Sequence, residues 1–163
     1  MIVRLATPAD AAHMTTLLNA IIGVGGSTAH ETPFTVEKML SDYILPPALV
    51  CCHVAENAGK VVGFQWLGWP RNPDDPMPKG WGVIASFVAP EAAGMGVGQG
   101  LFAATKSAAN TADVAVIDAT IRADNVAGLR YYGGLGFQDY DRLIDIPLRD
   151  GTKVDRIRKR FDL

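Results

Sequence analysis

Between Pro90 and Phe102 the chain reads Pro-Glu-Ala-Ala-Gly-Met-Gly-Val-Gly-Gln-Gly-Leu-Phe, with glycine at every second position from Gly94 to Gly100. An apolar run (Val83, Ile84, Ala85, then Phe87, Val88, Ala89) precedes it, and an alanine-rich run from Leu101 to Ala109 follows. That order predicts strand, glycine turn, helix. The start of a helix leaves backbone N–H groups unpaired and carries partial positive charge, so such a turn can seat a phosphate. Glycines let backbone approach the ligand closely and take positive φ without a Cβ clash. The dinucleotide fingerprint Gly-x-Gly-x-x-Gly fails in both registers, since the sixth residue is Gln99 counted from Gly94 and Leu101 counted from Gly96. Asp118 lies near the distance expected of a ribose carboxylate, but the match stops there.

Downstream, a β-branched strand pattern from Val114 to Ile121 leads to Asn125-Val-Ala-Gly128-Leu-Arg-Tyr131-Tyr132-Gly-Gly-Leu-Gly136-Phe137. Together the two segments resemble the GNAT superfamily of acetyl-CoA-dependent N-acetyltransferases. Its pyrophosphate turn reads Gln/Arg-x-x-Gly-x-Gly/Ala and its later helix Asn-x-x-Ala-x-x-x-Tyr-x-x-x-Gly-Phe. Gly96 and Gly98 match the motif glycines, and Gly94 is the extra glycine often seen. Asn125, Tyr132, Gly136 and Phe137 fall on the second pattern, with Gly128 in place of alanine. Ala93 stands where the family has glutamine or arginine. The loop Gly25-Gly-Ser-Thr28…Glu31-Thr-Pro-Phe34 loosely resembles the phosphinothricin-type small-molecule subgroup.

The order of the remaining elements agrees. Thr7-Pro8-Ala9-Asp10 is a helix start, with threonine to cap, proline first and an acid in the first turn. The helix is expected to run to about Ile22, with Ala11, Met14, Leu17, Leu18 and Ile21 on one stripe. A loop over Gly23–Thr35 precedes a short helix that ends before Pro46-Pro47. Leu49–Glu56 and Lys60–Leu67 read as a hairpin about Asn57-Ala-Gly59. Three prolines keep Arg71–Pro78 out of any sheet. Gly80–Ala89 is the strand feeding the turn, and Phe137–Leu148 with Thr152–Phe161 is a last hairpin about Arg149-Asp-Gly151. The sequence thus runs β-α-α-β-β-β-α-β-α-β-β. The resemblance implies an α/β (α+β) fold, with a mixed, twisted, mostly antiparallel sheet of seven strands flanked by four helices. It also implies a splayed strand pair that holds the cofactor arm, which maps to Phe87, Val88 and Ala89.

Composition sets outer limits. A chain of 163 residues suits a single domain over 1–163. A net charge of −2 argues against nucleic acid as partner. The basic stretch Arg156-Ile-Arg-Lys-Arg160 is interrupted by apolar Ile157 and reads as a strand with one solvated face. No apolar run approaches the roughly 18 residues of a membrane span. The start Met1-Ile-Val-Arg-Leu-Ala lacks the pattern of a secretion signal, so the expected place is the cytoplasm. Adjacent Cys51 and Cys52 on a strand should point to opposite faces. His13, His30 and His53 have no metal-ligand spacing, and no metal is expected.

The resemblance assigns the turn Gly94, Met95, Gly96, Val97, Gly98 and Gln99 to acetyl-CoA, together with Asn125 and Tyr132. Tyr132 aligns with the tyrosine that protonates the departing thiolate; packing beneath the cofactor is its other reading. Tyr131, next to it on the helix, should point elsewhere. No acid lies between Trp81 and Ala89, where some relatives carry a glutamate base, and Ser86 is the only hydroxyl there. Glu31, its neighbour His30 or a water chain remain as proton acceptors. Trp66, Trp69 and Trp81 are candidates to line the acceptor pocket or to pack in the core. The implied activity is acetyl transfer to the primary amine of a small molecule, directly from acetyl-CoA, with a homodimer possible by analogy. An acetyl-CoA-binding regulatory module with little catalysis is the alternative.

Overall fold

In the computed structural model, which describes residues 1–163, the first helix forms as its apolar spacing dictates. Strand β1 (Ile2–Leu5) leads through a 3₁₀ turn at Pro8–Asp10 into α1 (Ala11–Val24), whose buried face is Ala11, Met14, Thr15, Leu17, Leu18 and Ile21. The Asp10 carboxylate fastens this corner: it accepts the Thr7 N–H at 2.8 Å and both terminal nitrogens of Arg4 at 2.9 Å. Those bonds favour its charged form and hold its pKa down at about 2. The short helix α2 (Val36–Met39) is capped by the Thr35 hydroxyl, which accepts the Lys38 N–H, and continues as a π-type turn over Leu40–Ile44.

Strands β2 (Leu49–Asn57) and β3 (Lys60–Gly68) form the expected hairpin, turning at Ala58 and Gly59, both at positive φ. Next come β4 (Trp81–Val88), α3 (Val97–Thr111), β5 (Val116–Arg122), α4 (Val126–Gly134), β6 (Gln138–Pro147) and β7 (Lys153–Asp162). All seven strands join one sheet in the order β1-β2-β3-β4-β5-β7-β6. Every neighbouring pair is antiparallel except β4 and β5. Cys51 and Cys52 are both buried and enter different core clusters. Cys51 belongs to the cluster that includes Phe102 and Ala109 of α3, Cys52 to the one that includes Met14 and Leu18 of α1.

The parallel pair positions the site. Its ladder runs only from Trp81↔Val116 to Val83↔Asp118, although β4 continues to Val88 and β5 to Arg122. Beyond Val83 the strands diverge and leave backbone edges facing a gap. Side-chain alternation sorts the residues at its rim. Ser86 of β4 and Ile117, Ala119 and Ile121 of β5 face α3 and α4. Phe87 of β4, with Thr120 and Arg122 of β5, faces the α1–α2 side.

Candidate active site

The glycine turn sits at the end of β4, after a 3₁₀ turn at Pro90–Ala92. Gly94 and Gly96 both take left-handed conformations, at φ 78° and 77°, and Gly96 is the cap from which α3 departs. The N–H groups of Gly94, Gly96, Val97, Gly98 and Gln99 find no acceptor within the protein. Together they form an amide cradle at the positive end of a 15-residue helix, which fits a diphosphate. Met95 and Gln99 are exposed beside it, Val97 and Gly98 are buried, and Ala93 is exposed at the start of the turn with no polar side-chain atom to offer.

A cavity of about 180 Å³ fills the gap between the splayed strands. Asn125 lines it from the start of α4, where its Oδ1 accepts the Gly128 N–H at 3.0 Å and its amide donates to the Ser27 carbonyl at 3.2 Å. It therefore both caps the helix and ties it to the Gly23–Thr35 loop. Tyr132 is 7% exposed, and its hydroxyl lies 2.7 Å from Ser86 Oγ on β4. Burial raises its pKa well above the ordinary phenol value, against a smaller opposing effect of the Ser86 contact, so it stays protonated.

Tyr131 departs from the sequence expectation. It lines the same cavity, donates its hydroxyl proton to the Gly98 carbonyl at 2.8 Å and accepts from Gln65 Nε2 at 3.1 Å. Its ring lies 2.5 Å from where a Cβ at position 98 would stand, so the glycine there admits the tyrosine. Gln65 also donates to Ser86 Oγ at 2.8 Å. A buried polar chain thus links the glycine turn to Tyr132 through Tyr131, Gln65 and Ser86. Gln65 and Tyr131 escape motif reading because their partners lie on other elements. For Gln65 the one available signal was a lone glutamine within the apolar run over residues 61–68.

On the opposite face, His30 Nε2 lies 2.6 Å from the Tyr43 hydroxyl, within a cluster of Phe34, Tyr43 and Phe87 rings. Burial is the main reason its pKa falls below the usual histidine value, with Lys38 adding to the effect and Asp42 opposing it. Glu31 stands elsewhere. Both its carboxylate oxygens accept the Arg149 N–H at 3.1 Å, which holds it exposed against the β6–β7 turn and outside the cavity wall. Phe87 borders the cavity; Val88 and Ala89 continue the strand toward the glycine turn, with Ala89 N–H donating to Val62 O at 2.9 Å. None of Trp66, Trp69 and Trp81 lines the cavity. Trp66 is buried against Tyr43, and Trp81 packs edge-on to Tyr140 under Arg160.

The basic stretch of β7 is a strand, as read from the sequence, but its even-numbered face is not simply solvated. Arg158 is 5% exposed and bonds Asp75 at 2.8 Å and Asp118 at 3.4 Å. Arg156 reaches the cavity, where Arg122 also lies.

Comparison with known proteins gives the family and the fold. The model of the acetyltransferase (GNAT) family matches residues 17–137. A search of curated proteins returned no significant match. Among solved structures, the ribosomal-protein-alanine N-acetyltransferase of Brucella melitensis is 25% identical, with all of both chains covered and a TM-score of 0.85. A GNAT phosphinothricin acetyltransferase of Sinorhizobium meliloti, in complex with acetyl-CoA, is 20% identical over 99% of this chain and 88% of its own, with a TM-score of 0.85. An N-acetyltransferase from Staphylococcus aureus is 19% identical over 99% of this chain and 97% of its own, with a TM-score of 0.83.

Proposed function

Because the chain belongs to the GNAT acetyltransferase family, we propose that it moves an acetyl group directly from acetyl-CoA to the primary amine of a small molecule. One observation carries this reading: a single gap between β4 and β5 has Tyr132 on one face and His30 on the other. The free amides of Gly94, Gly96, Val97, Gly98 and Gln99 would hold the diphosphate, and the unpaired edge of β4 over Phe87–Ala89 would hold the arm. Asn125, which lines the same cavity, would hydrogen-bond that arm. When bound, acetyl-CoA supplies an activated thioester whose C–S bond is exchanged for a C–N bond to the acceptor.

The protein's own residues then handle two protons. Tyr132, kept protonated by burial, donates to the departing thiolate, and Ser86 holds its hydroxyl in place. In water a phenol near pKa 10 is a weak donor to a thiolate whose acid is near 8.5, but a dry site raises the thiol as well. His30, kept neutral by burial, accepts the amine proton. Either tautomer serves: the proton goes to Nδ1 directly, or to Nε2 through the Tyr43 hydroxyl. His30 is favoured over Glu31 because Glu31 is committed to Arg149 and lies outside the cavity.

The whole of residues 1–163 is read as one catalytic domain, working in the cytoplasm. Edge strand β6, with Tyr140 and Ile144 exposed, supports pairing with a second copy. No helix is long and apolar enough to cross a membrane. The deciding experiment is a thiol-release assay with acetyl-CoA over a panel of amines, paired with calorimetry of acetyl-CoA alone. Tight binding without turnover on any amine would favour a binding module over an enzyme.

Two results test the parts. His30→Gln should lower kcat/KM about 10²-fold or more at neutral pH, as for loss of a general base. In the wild type, protonation of His30 below its depressed pKa should cut activity as the pH falls through the acid side of about 6.5. The variant should lose that limb and keep only the slope set by the acceptor amine. An unchanged acid limb would assign the proton to water. Ala93→Arg should tighten acetyl-CoA binding a few-fold, more at low salt because exposed charges are screened. A pantetheine analogue without the diphosphate should gain nothing; equal gains for both ligands would mean that position 93 does not face the phosphates.

A further inference from the structure

Arg122 and Arg156 are direct cross-strand partners in the β5–β7 ladder, so their side chains share one face of the sheet. Like charges so placed repel. Arg122 is neutralised by a two-pronged pair with exposed Asp124, at 3.0 and 2.8 Å. Arg156 has no such relief. It makes no ion pair and no side-chain hydrogen bond, its Nε is buried without a partner, and other parts of the residue line the cavity. A buried N–H of a guanidinium left unpaired costs free energy unless a ligand supplies the acceptor.

The face decides which ligand. Alternation puts Arg122 and Arg156 on the α1–α2 side, with Phe87, Tyr43 and His30. Tyr131, Tyr132, Ser86 and the helix that carries the amide cradle lie on the other side. The cradle answers the diphosphate of the cofactor from that other side, and the unpaired guanidinium stands across the gap from it. We propose that Arg156, supported by Arg122, binds a carboxylate on the acceptor, making the substrate an amino acid or another amine that carries a carboxylate. The planar fork of a guanidinium matches the two oxygens of a carboxylate, which a neutral amine acceptor could not satisfy. Anchored there, the substrate has its amine free to point along the cavity toward His30. The inference rests on the acetyltransferase reading and narrows its substrate class.

The test uses the full chain, acetyl-CoA, and a panel of α- and ω-amino acids, each beside its methyl ester and its decarboxylated amine. At least one free acid should be acetylated with kcat/KM about tenfold or more above its ester and amine, the scale of one lost charge-assisted pair. Arg156→Gln should raise KM for that acid by a similar factor, leave kcat nearly unchanged and erase the preference over the ester. Arg156→Lys, which keeps the charge but not the fork, should recover part of it. Acetyl-CoA affinity by calorimetry should be the same in all three proteins. Equal use of acid, ester and amine by the wild type overturns the inference without needing any variant to fold. So does loss of acetyl-CoA affinity in Arg156→Gln with acceptor KM unchanged, which would place the guanidinium on the cofactor. A wild type that binds acetyl-CoA yet acetylates no free acid also overturns it and leaves the cofactor reading standing. Failure to bind acetyl-CoA at all would instead overturn the acetyltransferase reading.

Discussion

Tyr132→Phe is expected to lower kcat on a good acceptor about 10²–10⁴-fold, the usual cost of losing a general acid. The phenyl ring that remains should keep its packing against Phe137, 5.1 Å away centroid to centroid. The polar chain should also survive, because Ser86 Oγ still receives the Gln65 amide. The net loss of one neutral hydrogen bond is about 1 kcal/mol of stability, so melting should shift only slightly and acetyl-CoA should bind as before. Tyr131→Phe is the informative companion. Its hydroxyl bonds the Gly98 carbonyl and accepts from Gln65, so its loss should loosen the turn and raise the acetyl-CoA Kd more than it lowers kcat. If the two variants instead show the same modest drop in turnover, neither hydroxyl delivers the proton and Tyr132 is a packing residue.

These two tyrosines also mark how far the sequence could be read. The order of strands and helices was legible because each element carries its own signal: a helical stripe in α1, a two-residue turn at Ala58-Gly59, glycines before α3. Asn125 and Tyr132 were legible because the motif spacing places them on one helix. The position of Tyr131 was not. Adjacent residues on a helix are about 100° apart, which predicts divergence, yet the missing side chain of Gly98 lets the Tyr131 ring fold over the turn and into the same cavity. The arginines show the same limit from the other side. Alternating charge along β7 looks like a solvated strand when read alone. Only the pairing of β7 with β5 puts Arg156 opposite Arg122 and Arg158 beside buried Asp118. Likewise Glu31 and His30 are neighbours in sequence, and the loop that carries them sends one to Arg149 and the other to Tyr43.

Gly96→Val should raise the acetyl-CoA Kd at least about tenfold, or roughly 1.4 kcal/mol, in a protein that still folds. Gly96 holds φ 77° and ψ 9°, a left-handed conformation that costs most residues about 1–2 kcal/mol and a β-branched one more. No protein atom lies within 4 Å of a Cβ built there, so the added side chain would not disturb the core. It would stand instead in open space next to the unpaired amides of Val97, Gly98 and Gln99. Two causes of lost affinity are therefore possible, and a third residue separates them. Asparagine tolerates the left-handed region but still carries a side chain into the approach. If backbone conformation is what matters, Gly96→Asn should bind acetyl-CoA far better than Gly96→Val. If close approach of the diphosphate is what matters, both should lose affinity alike, and the pantetheine analogue without phosphates should bind wild type and variants equally. We expect the second pattern, because the cradle is built from amides with no side chain between them and the ligand. A folded Gly96→Val protein that binds acetyl-CoA as the wild type does would remove the turn from the site.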